Sequence, residues 1–353
     1  MTSMTHAMLA TGLVAVSALT TAAPSAAQDN PQVTWQYSLW GQPRAATKYL
    51  EPLPAFLAER TDDAFKLELH FGDLSQPEAN LDGIAVGAFE GATFCADYTP
   101  GKLPSITGIS LPFLPWKGNH HIQRSIDAYM ATEEPTQELA NFGAMYYMTA
   151  TVPAYEIIGT GDAPSQMSDF AGMKLRMVGG LADVLSAAGA IPVEVPSSET
   201  YTSMSQNLVD GAVLPYYAML SYKAYEPADW YTSGLQLGTI SCGSVFAIDA
   251  YEALPQSYKD LLEEYKEIGY ANVRPILAET DELEAPETFA ADGLVEVKID
   301  PADLEAFQNQ YAQPVWDEWA ASMDDQGYDG DALVERLVNI LDEEAARLDA
   351  EGS

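Results

Sequence analysis

Basic residues are scarce in this chain of 353 residues, which carries 16 Lys and Arg against 52 Asp and Glu. The formal net charge at neutral pH is therefore −36. A field of this sign repels phosphate at long range, so it excludes nucleic acid as a partner and argues against anionic membrane surfaces. It also opposes the approach of any anionic ligand. An anion-binding site in this chain therefore needs local positive charge.

Cysteine and histidine are also rare, with two cysteines and four histidines. His120 and His121 are adjacent, so in a helix or strand they point apart and form a poor chelating pair. The sequence contains no HExxH, GxSxG or GxxxxGK[ST] motif, and we expect neither a cofactor nor a metal site. In an oxidising compartment Cys95 and Cys242 are able to pair, but the sequence equally allows two separate buried thiols.

No apolar run is long enough to cross a bilayer as a helix. The longest uncharged run near the start, Met8–Leu19, has twelve residues and is followed by small residues. Ser25-Ala26-Ala27 fits the cleavage rule of signal peptides, although the segment before the apolar run contains no Lys or Arg. The sequence thus predicts a signal peptide over residues 1–27 and export of the mature protein to the periplasm.

Hydrophobic periodicity predicts alternating strands and helices in the first two thirds of the chain. The first elements are strands at Val33–Leu39 and Phe65–Phe71, with a helix over Ala45–Glu59 that contains Pro52 and Pro54. The further predicted strands are Gly91–Cys95, Met145–Val152, Tyr155–Gly159, Met173–Val178, Ile191–Val195 and Ala212–Pro215. This order is typical of parallel sheets covered by helices.

The pattern restarts in the second third, which predicts an α/β fold of two lobes joined at a hinge that the chain crosses more than once. We expect lobe I to contain residues 28–151 and about 240–280, and lobe II to contain residues 152–239 and about 281–353. Apolar stripes predict a helical last third, with a kink or break at Pro275. Two such lobes enclose a cleft whose floor is the hinge, a common place for a ligand.

Arg176 is the clearest candidate for binding a ligand. It lies on the predicted strand Met173–Val178, which ends at Gly179 and Gly180 directly before a helix. Free N–H groups and the helix dipole favour an anion at such a helix start. An arginine there can hold a carboxylate through two parallel hydrogen bonds. The alternative is a structural arginine paired with one of the many acids.

The segment Met173–Pro215 resembles the periplasmic solute-binding subunits of TRAP transporters. It contains K-L-R, then G-A-x-P-V, then S-E-x-Y, and finally V-D-G with three residues between it and Pro215. Leu81–Phe94 and Tyr251–Tyr258 are similar to the same family. The resemblance implies a two-lobed periplasmic-binding-protein-like fold, a small organic acid as ligand, the TRAP permease as membrane partner and no enzymatic activity. It also implies that Arg176 holds the ligand carboxylate.

Three departures from the family pattern bear on the ligand. Leu214 stands where the family usually has an asparagine that reaches into the cleft, and Ser197 stands where it usually has an aromatic residue. A second arginine found in some members is missing from Thr149–Tyr155. Arg44, at a predicted helix start in lobe I, is the arginine that remains nearby.

Several aromatic residues follow strand ends, where the clefts of α/β proteins open. Taken singly each is a core residue, but together they predict an aromatic wall around the ligand. The predicted ligand-binding residues are Arg176, Trp40, Tyr98, Tyr155, Tyr216, Tyr37, Gly179 and Ser197. Such a pocket favours a monocarboxylate with an aromatic, keto or zwitterionic remainder.

Two other functions remain open from the sequence. An exported metal-dependent hydrolase would use acid clusters such as the aspartates around Gly327 and Gly330. A ligand receptor for a sensor would have the same fold and the same kind of pocket. The sequence allows either a monomer or a dimer.

Overall fold

The computed structural model describes residues 1–2 and 31–351. The predicted signal peptide therefore lies outside the described residues, except for its first two. The described part contains two β-sheets. Its strands are β1 (Val33–Leu39), β2 (Phe65–Phe71), β3 (Gly91–Cys95), β4 (Ala144–Thr149), β5 (Glu156–Gly159), β6 (Lys174–Arg176), β7 (Ile191–Val193), β8 (Gly211–Leu214), β9 (Trp230–Thr232), β10 (Cys242–Ala247) and β11 (Val295–Val297).

Helices cover both sheets and fill most of the last third, as predicted. The α-helices are α1 (Leu53–Thr61), α2 (Asn80–Ala85), α3 (Gly118–Met130), α4 (Glu133–Ala140), α5 (Gly179–Ala187), α6 (Thr200–Ser205), α7 (Tyr216–Ser221), α8 (Ile248–Glu252), α9 (Gln256–Glu279), α10 (Ala285–Ala291), α11 (Pro301–Asp325) and α12 (Gly330–Glu351). A short π-helix, Thr280–Glu284, joins α9 to α10. Short 3₁₀ turns lie at Ala45–Thr47, Pro77–Ala79, Ala96–Tyr98, Ile106–Ser110, Met167–Phe170 and Ser197–Glu199.

The first sheet, which forms the core of lobe I, has the strand order β2-β1-β3-β10-β4. β1 is parallel to β2 and β3, as the order of elements predicted. β10 is antiparallel to both β3 and β4. The sheet is therefore mixed rather than parallel, because β10 enters lobe I from the other lobe and runs in the opposite direction.

The second sheet, which forms the core of lobe II, has the strand order β11-β9-β5-β8-β6-β7. β6 is parallel to β7 and β8, whereas β5 is antiparallel to β8 and β9. β11 pairs in parallel with β9 at the edge. We did not predict β11, since three residues are too few to show an alternating pattern.

Proline explains how the predicted helix over Ala45–Glu59 differs from the structure. The segment forms a 3₁₀ turn and then α1, with Pro52 as the N-cap of α1 and Pro54 in its first turn. Proline has no N–H to donate, so it is tolerated at a helix start but not in the interior. Pro275 behaves differently, because α9 continues through it to Glu279, so of the predicted kink or break, the break does not occur.

The chain crosses between the lobes more than once, and two crossing segments pair with each other. The backbone N–H of Ala150 donates to the carbonyl oxygen of Cys242 at 3.0 Å, and that of Tyr155 donates to Gly238 at 2.9 Å. Residues 150–155 and 237–242 therefore form the floor of the cleft between the lobes.

The last helix contacts α3 of lobe I as well as α11. His121 Nε2 in α3 donates to the carbonyl oxygen of Leu341 at 2.8 Å, and Arg124 in α3 pairs with Glu344 at 2.8 Å. α12 therefore contacts helices on both sides of the predicted boundary at about residue 281, and the division of the lobes there stays a prediction. A stripe of apolar residues along a helix shows which side chains are buried, but it does not show which lobe covers them. Among the described helices, none is long and apolar enough to cross a membrane.

Candidate functional site

A small cavity, with about 30 Å³ open to the centres of water molecules, lies between the lobes above the paired crossing segments. We call it the cleft cavity. Residues from both lobes and from the crossing segments line it. They are Trp40, Arg44, Ala46, Thr47, Tyr49, Thr93, Cys95, Tyr98, Ala150, Val152, Tyr155, Ser197, Leu214, Pro215, Tyr217, Ala218, Tyr222, Ile240 and Cys242.

Many of the lining residues lie at or just after the ends of strands. Trp40 directly follows β1, Tyr98 lies three residues after β3, and Leu214 is the last residue of β8. The carboxyl ends of neighbouring parallel strands open at one edge of a sheet, which is where α/β folds place ligands. Four of the predicted ligand-binding residues line the cavity: Trp40, Tyr98, Tyr155 and Ser197.

Arg44 is the charged member of the lining within the described part of the chain. Its side chain is largely buried, with 8% of the residue exposed. Nη1 donates to the carbonyl oxygens of Trp40 at 2.9 Å and Gln42 at 3.1 Å, and the guanidinium lies 5.4 Å from the centre of the Trp40 ring. These contacts fix a positive charge at the cavity wall of a strongly acidic protein.

Six aromatic side chains surround the same space: Trp40, Tyr49, Tyr98, Tyr155, Tyr217 and Tyr222. Burial raises the pKa of the Tyr49 phenol to about 12. Burial also raises the pKa of Tyr155 and of Tyr217, and the nearby Arg44 cation partly opposes the shift at Tyr217. Their phenols therefore stay protonated at neutral pH and can act as hydrogen-bond donors to an anion.

Arg176 does not line the cleft cavity but contacts its wall. The residue is 1% exposed, and its Nε donates to the carbonyl oxygen of Val195 at 3.0 Å. Its Nη2 lies 3.4 Å from Tyr98 Oη, which in turn lies 3.3 Å from Ser197 Oγ. Tyr98 thus stands between Arg176 and the cavity and bridges the two lobes.

Three predicted ligand-binding residues lie away from the cavity. Tyr37 is fully buried inside lobe I, where its hydroxyl donates to Ser244 Oγ at 2.7 Å. Tyr216 lies in a separate interlobe groove, and its hydroxyl donates to the carbonyl oxygen of Thr232 at 2.8 Å. Gly179 lies in a third groove, beside Asp97.

The glycine pair at the start of α5 is a contact between the lobes. A Cβ added at Gly179 would lie 2.0 Å from Asp97 Oδ1, and one at Gly180 would lie 2.4 Å from the carbonyl oxygen of Ser110. Ser110 Oγ donates to Asp97 Oδ2 at 2.7 Å. The protein's own carboxylate therefore lies beside the helix start that we predicted as an anion site, because only glycine lets the lobes approach so closely there.

The structure joins Cys95 and Cys242 as a disulfide. The two residues are direct partners across the antiparallel strands β3 and β10. Both also line the cleft cavity.

Tyr49, Tyr217 and Tyr222 line the cavity but were not among the predicted ligand-binding residues. Arg44 was expected only as the remaining arginine of lobe I. A signal for Tyr217 was available, because it follows Pro215 at the start of α7. Neighbouring residues of a helix point about 100° apart, however, so a Tyr-Tyr pair does not show which ring faces the cleft.

The sequence profile of the bacterial extracellular solute-binding proteins of family 7, also called DctP, matches residues 39–322. This match covers most of the chain and runs through both lobes. The chain belongs to family 7. The predicted resemblance to TRAP solute-binding subunits is thereby confirmed.

Individual relatives of this chain are distant from it in sequence. The ectoine-binding periplasmic protein TeaA of Halomonas elongata is 20% identical over 278 residues, which cover 75% of this chain and 78% of TeaA. A TRAP solute-binding protein from a marine metagenome, described as specific for aromatic acids and bound to 3-hydroxybenzoate, superposes with a TM-score of 0.79 at 21% identity, covering 89% of this chain and 99% of that one. A protein of Roseobacter denitrificans with β-D-glucuronate has a TM-score of 0.72 at 20% identity, covering 87% and 98%.

These likenesses establish the two-lobed fold of family 7 but do not choose a ligand, because the three relatives bind an aromatic acid, a sugar acid and ectoine. Family 7 proteins of TRAP systems bind small solutes outside the cytoplasm and work with membrane permease subunits. Among residues 31–351, no three His, Cys, Asp or Glu side chains are grouped so that they could hold a metal ion.

Proposed function

We propose that this family 7 protein captures a small organic monocarboxylate with an aromatic or other apolar remainder and delivers it to a TRAP-type permease. The observation that carries this proposal is the composition of the cleft cavity. Arg44 is its charged side chain among the described residues, and six aromatic rings surround the remaining space.

A carboxylate is the group that this charge distribution favours. The protein as a whole carries a net charge of −36, so an anion is held only where a local cation outweighs the field. Arg44 supplies that cation at the wall, and Arg176 adds a second one behind Tyr98. Buried protonated phenols offer further donors without adding negative charge.

Part of the cavity wall is apolar surface that the rest of the ligand can contact. Leu214, which replaces the usual family asparagine, lines the cavity, as do Val152 and Ile240. Sugar acids carry several hydroxyl groups, and an apolar wall leaves such groups without partners at a cost of about 1–3 kcal/mol each. A second carboxylate would meet no second lining cation among the described residues. The cavity therefore favours a ring over a polyol or a dicarboxylate.

A zwitterionic acid is the second candidate. Aromatic faces attract organic cations, and this cavity has many such faces. The described lining includes no carboxylate to pair with the cationic end, however. We therefore rank a zwitterion below an aromatic acid.

A thermal-shift screen of the mature chain, residues 28–353, tests the proposal. Its panel is benzoate, 3-hydroxybenzoate, phenylacetate, glucuronate, succinate and ectoine, each with and without chelator. A ligand present at a hundredfold excess over its Kd adds about 2.7 kcal/mol of stability. We expect the aromatic acids to raise the Tm most and chelator to have no effect.

Two outcomes would overturn the proposal. Stabilisation of the protein by glucuronate or succinate, with benzoate inactive, would reject the ligand class. Chelator-sensitive consumption of an acid, followed by NMR of the incubated mixture, would instead support the exported hydrolase. A sensor-linked receptor would give the same shifts, and uptake of the labelled acid by cells with and without the permease separates the two.

A further inference from the structure

We propose that the Cys95–Cys242 disulfide is part of the ligand-binding wall, where it contacts the ring of a bound acid and favours ring-bearing over short-chain acids. This inference rests on the proposed function and names a further determinant of specificity in the same site. Both cysteines line the cleft cavity, and each is at most 5% exposed.

The position of the disulfide supports a contact role. Cys95 ends β3, three residues before Tyr98, and Cys242 starts β10, directly after the crossing segment that forms the cleft floor. The disulfide therefore lies where lobe I meets the hinge. Ala150 and Ile240 from the two crossing segments lie in the same wall.

Fastening β3 to β10 does not by itself explain why the disulfide lies at the cavity. β3 and β10 are already paired over five residue pairs, from Cys242–Cys95 to Phe246–Gly91. Backbone hydrogen bonds continue past the strand ends, from Ala96 N to Ser241 O at 2.9 Å and from Ala150 N to Cys242 O at 3.0 Å. The ladder thus fixes the two strands in register without the covalent bond.

The chemistry of the wall changes along β3 and β10. Thr93 and Ser244, partners in the same ladder, bind the hydroxyl of Tyr37, and Ser244 also binds that of Tyr49. The next inward-facing pair is Cys95 and Cys242. The wall is therefore polar at Thr93 and Ser244 and consists of sulfur at the next pair, which lies at the cavity floor. Sulfur is polarizable and makes favourable contacts with aromatic rings.

Two double variants of the mature chain separate contact from covalent linkage. Cys95→Ser with Cys242→Ser makes this part of the wall polar, whereas Cys95→Val with Cys242→Val keeps it apolar. Both remove the disulfide. Affinities for benzoate and for propionate, which has no ring, are measured by calorimetry or by competition.

We expect the Ser pair to weaken benzoate binding about 5- to 20-fold and propionate binding less than about threefold, because only the ring loses contact with the apolar wall. We expect the Val pair to bind benzoate within about threefold of wild type, since valine suits a strand and keeps the wall apolar. Wild type reduced under native conditions keeps its sulfur atoms, so it is expected to behave like the Val pair and provides a test if the Ser pair does not fold.

Equal losses for benzoate and propionate in the Ser pair would show that the disulfide only fastens the strands. Unchanged benzoate binding in every form would show that it does not contact the ligand. Failure of the proposed function is distinct, because wild type itself would then bind no aromatic carboxylate, and the inference would fall with it.

Discussion

The Arg44 guanidinium lies 5.4 Å from the centre of the Trp40 ring, and its Nη1 donates to the carbonyl oxygen of Trp40 at 2.9 Å. The cation is thus held by the residue that directly follows the first strand and by the turn after it. A guanidinium fixed in this way loses little conformational freedom when it binds a carboxylate. Preorganisation of Arg44 is the basis of the first prediction.

Replacing Arg44 by Gln is expected to weaken benzoate binding about 10- to 100-fold, because the carboxylate then lacks a charged partner in a buried site. Benzamide, which has the same shape and no charge, is expected to bind the variant and wild type alike. Calorimetric titration with both ligands checks the prediction.

Arg60→Gln is the matched control for this substitution. Arg60 is exposed and pairs with Glu264 far from the cavity, so its loss removes the same charge from the protein without touching the site. An equal loss of affinity in both variants would mean that Arg44 acts only through the overall charge.

Removing Arg176 is expected to weaken carboxylate binding by about 1–2 kcal/mol, less than removing Arg44, because Arg176 lies behind Tyr98 and does not line the cavity. The side chain reaches the cavity wall through Tyr98 in the structure, so the Arg176→Ala variant also loses the Nη2 contact to Tyr98 Oη. Titration of Arg176→Ala and of Arg176→Lys, with circular dichroism to verify folding, measures the effect. An unchanged affinity in folded Arg176→Ala would remove this arginine from the site.

Gly180→Ala is expected to prevent the lobes from closing fully, since the added Cβ would lie 2.4 Å from the carbonyl oxygen of Ser110 in the other lobe. Backbone cannot move aside cheaply, so we expect benzoate affinity to fall by about tenfold or more. Small-angle scattering of the ligand-saturated variant should give a larger radius of gyration than saturated wild type.

Gly101→Ala provides the control for this glycine, because an added Cβ there meets no atom within 4 Å. It should close and bind like wild type. If ligand-saturated Gly180→Ala had the same radius of gyration as saturated wild type, the contact between α5 and Ser110 would not be part of the closed state.

Asp97 makes stability depend on pH. Burial raises the pKa of its carboxyl from 3.8 to about 7, and the hydrogen bond from Ser110 only partly opposes this. Between these two values the folded protein holds a proton that the unfolded chain has released, so the contribution of Asp97 to the free energy of unfolding falls as pH rises from 4 to 7. The fall amounts to at most about 4 kcal/mol, since one pKa unit corresponds to about 1.4 kcal/mol.

Asp97→Asn removes this titration. We expect urea unfolding of the variant to lose less stability than wild type between pH 4 and pH 7, and the two curves to run parallel above pH 8. Other buried carboxyls, such as Glu156, titrate in both proteins, so their contributions to the free energy of unfolding cancel in the comparison. Parallel curves over the whole range would show that Asp97 does not take up a proton on folding.

Local pattern predicted much of the fold. Alternation of apolar and polar residues gave the bounds of β2, and β1 has the predicted bounds as well. The direction of β10 and the lobe that covers α12 depend on contacts between distant segments, which hydrophobic periodicity does not contain. For the same reason the sequence left open whether Cys95 and Cys242 meet.

The sequence predicted which strand ends line the cleft, but it did not predict which side chains near them face the cavity. Trp40, Tyr98 and Tyr155 were placed by the rule that clefts open at strand ends, Ser197 came from the family resemblance, and all four line the cavity. Tyr216 was chosen where its neighbour Tyr217 lines the cavity. Orientation within one turn of a helix is set by packing against the other lobe, so the sequence alone does not determine it.

The most direct test of the central claim is a calorimetric titration of the mature protein with benzoate and, separately, with benzamide. The cavity predicts saturable binding of one benzoate per chain, and binding of benzamide weaker by at least about tenfold, because Arg44 gains a charged partner only from the acid. Equal affinities for the two ligands, or no heat with benzoate, would contradict the claim that this cavity recognises an aromatic carboxylate.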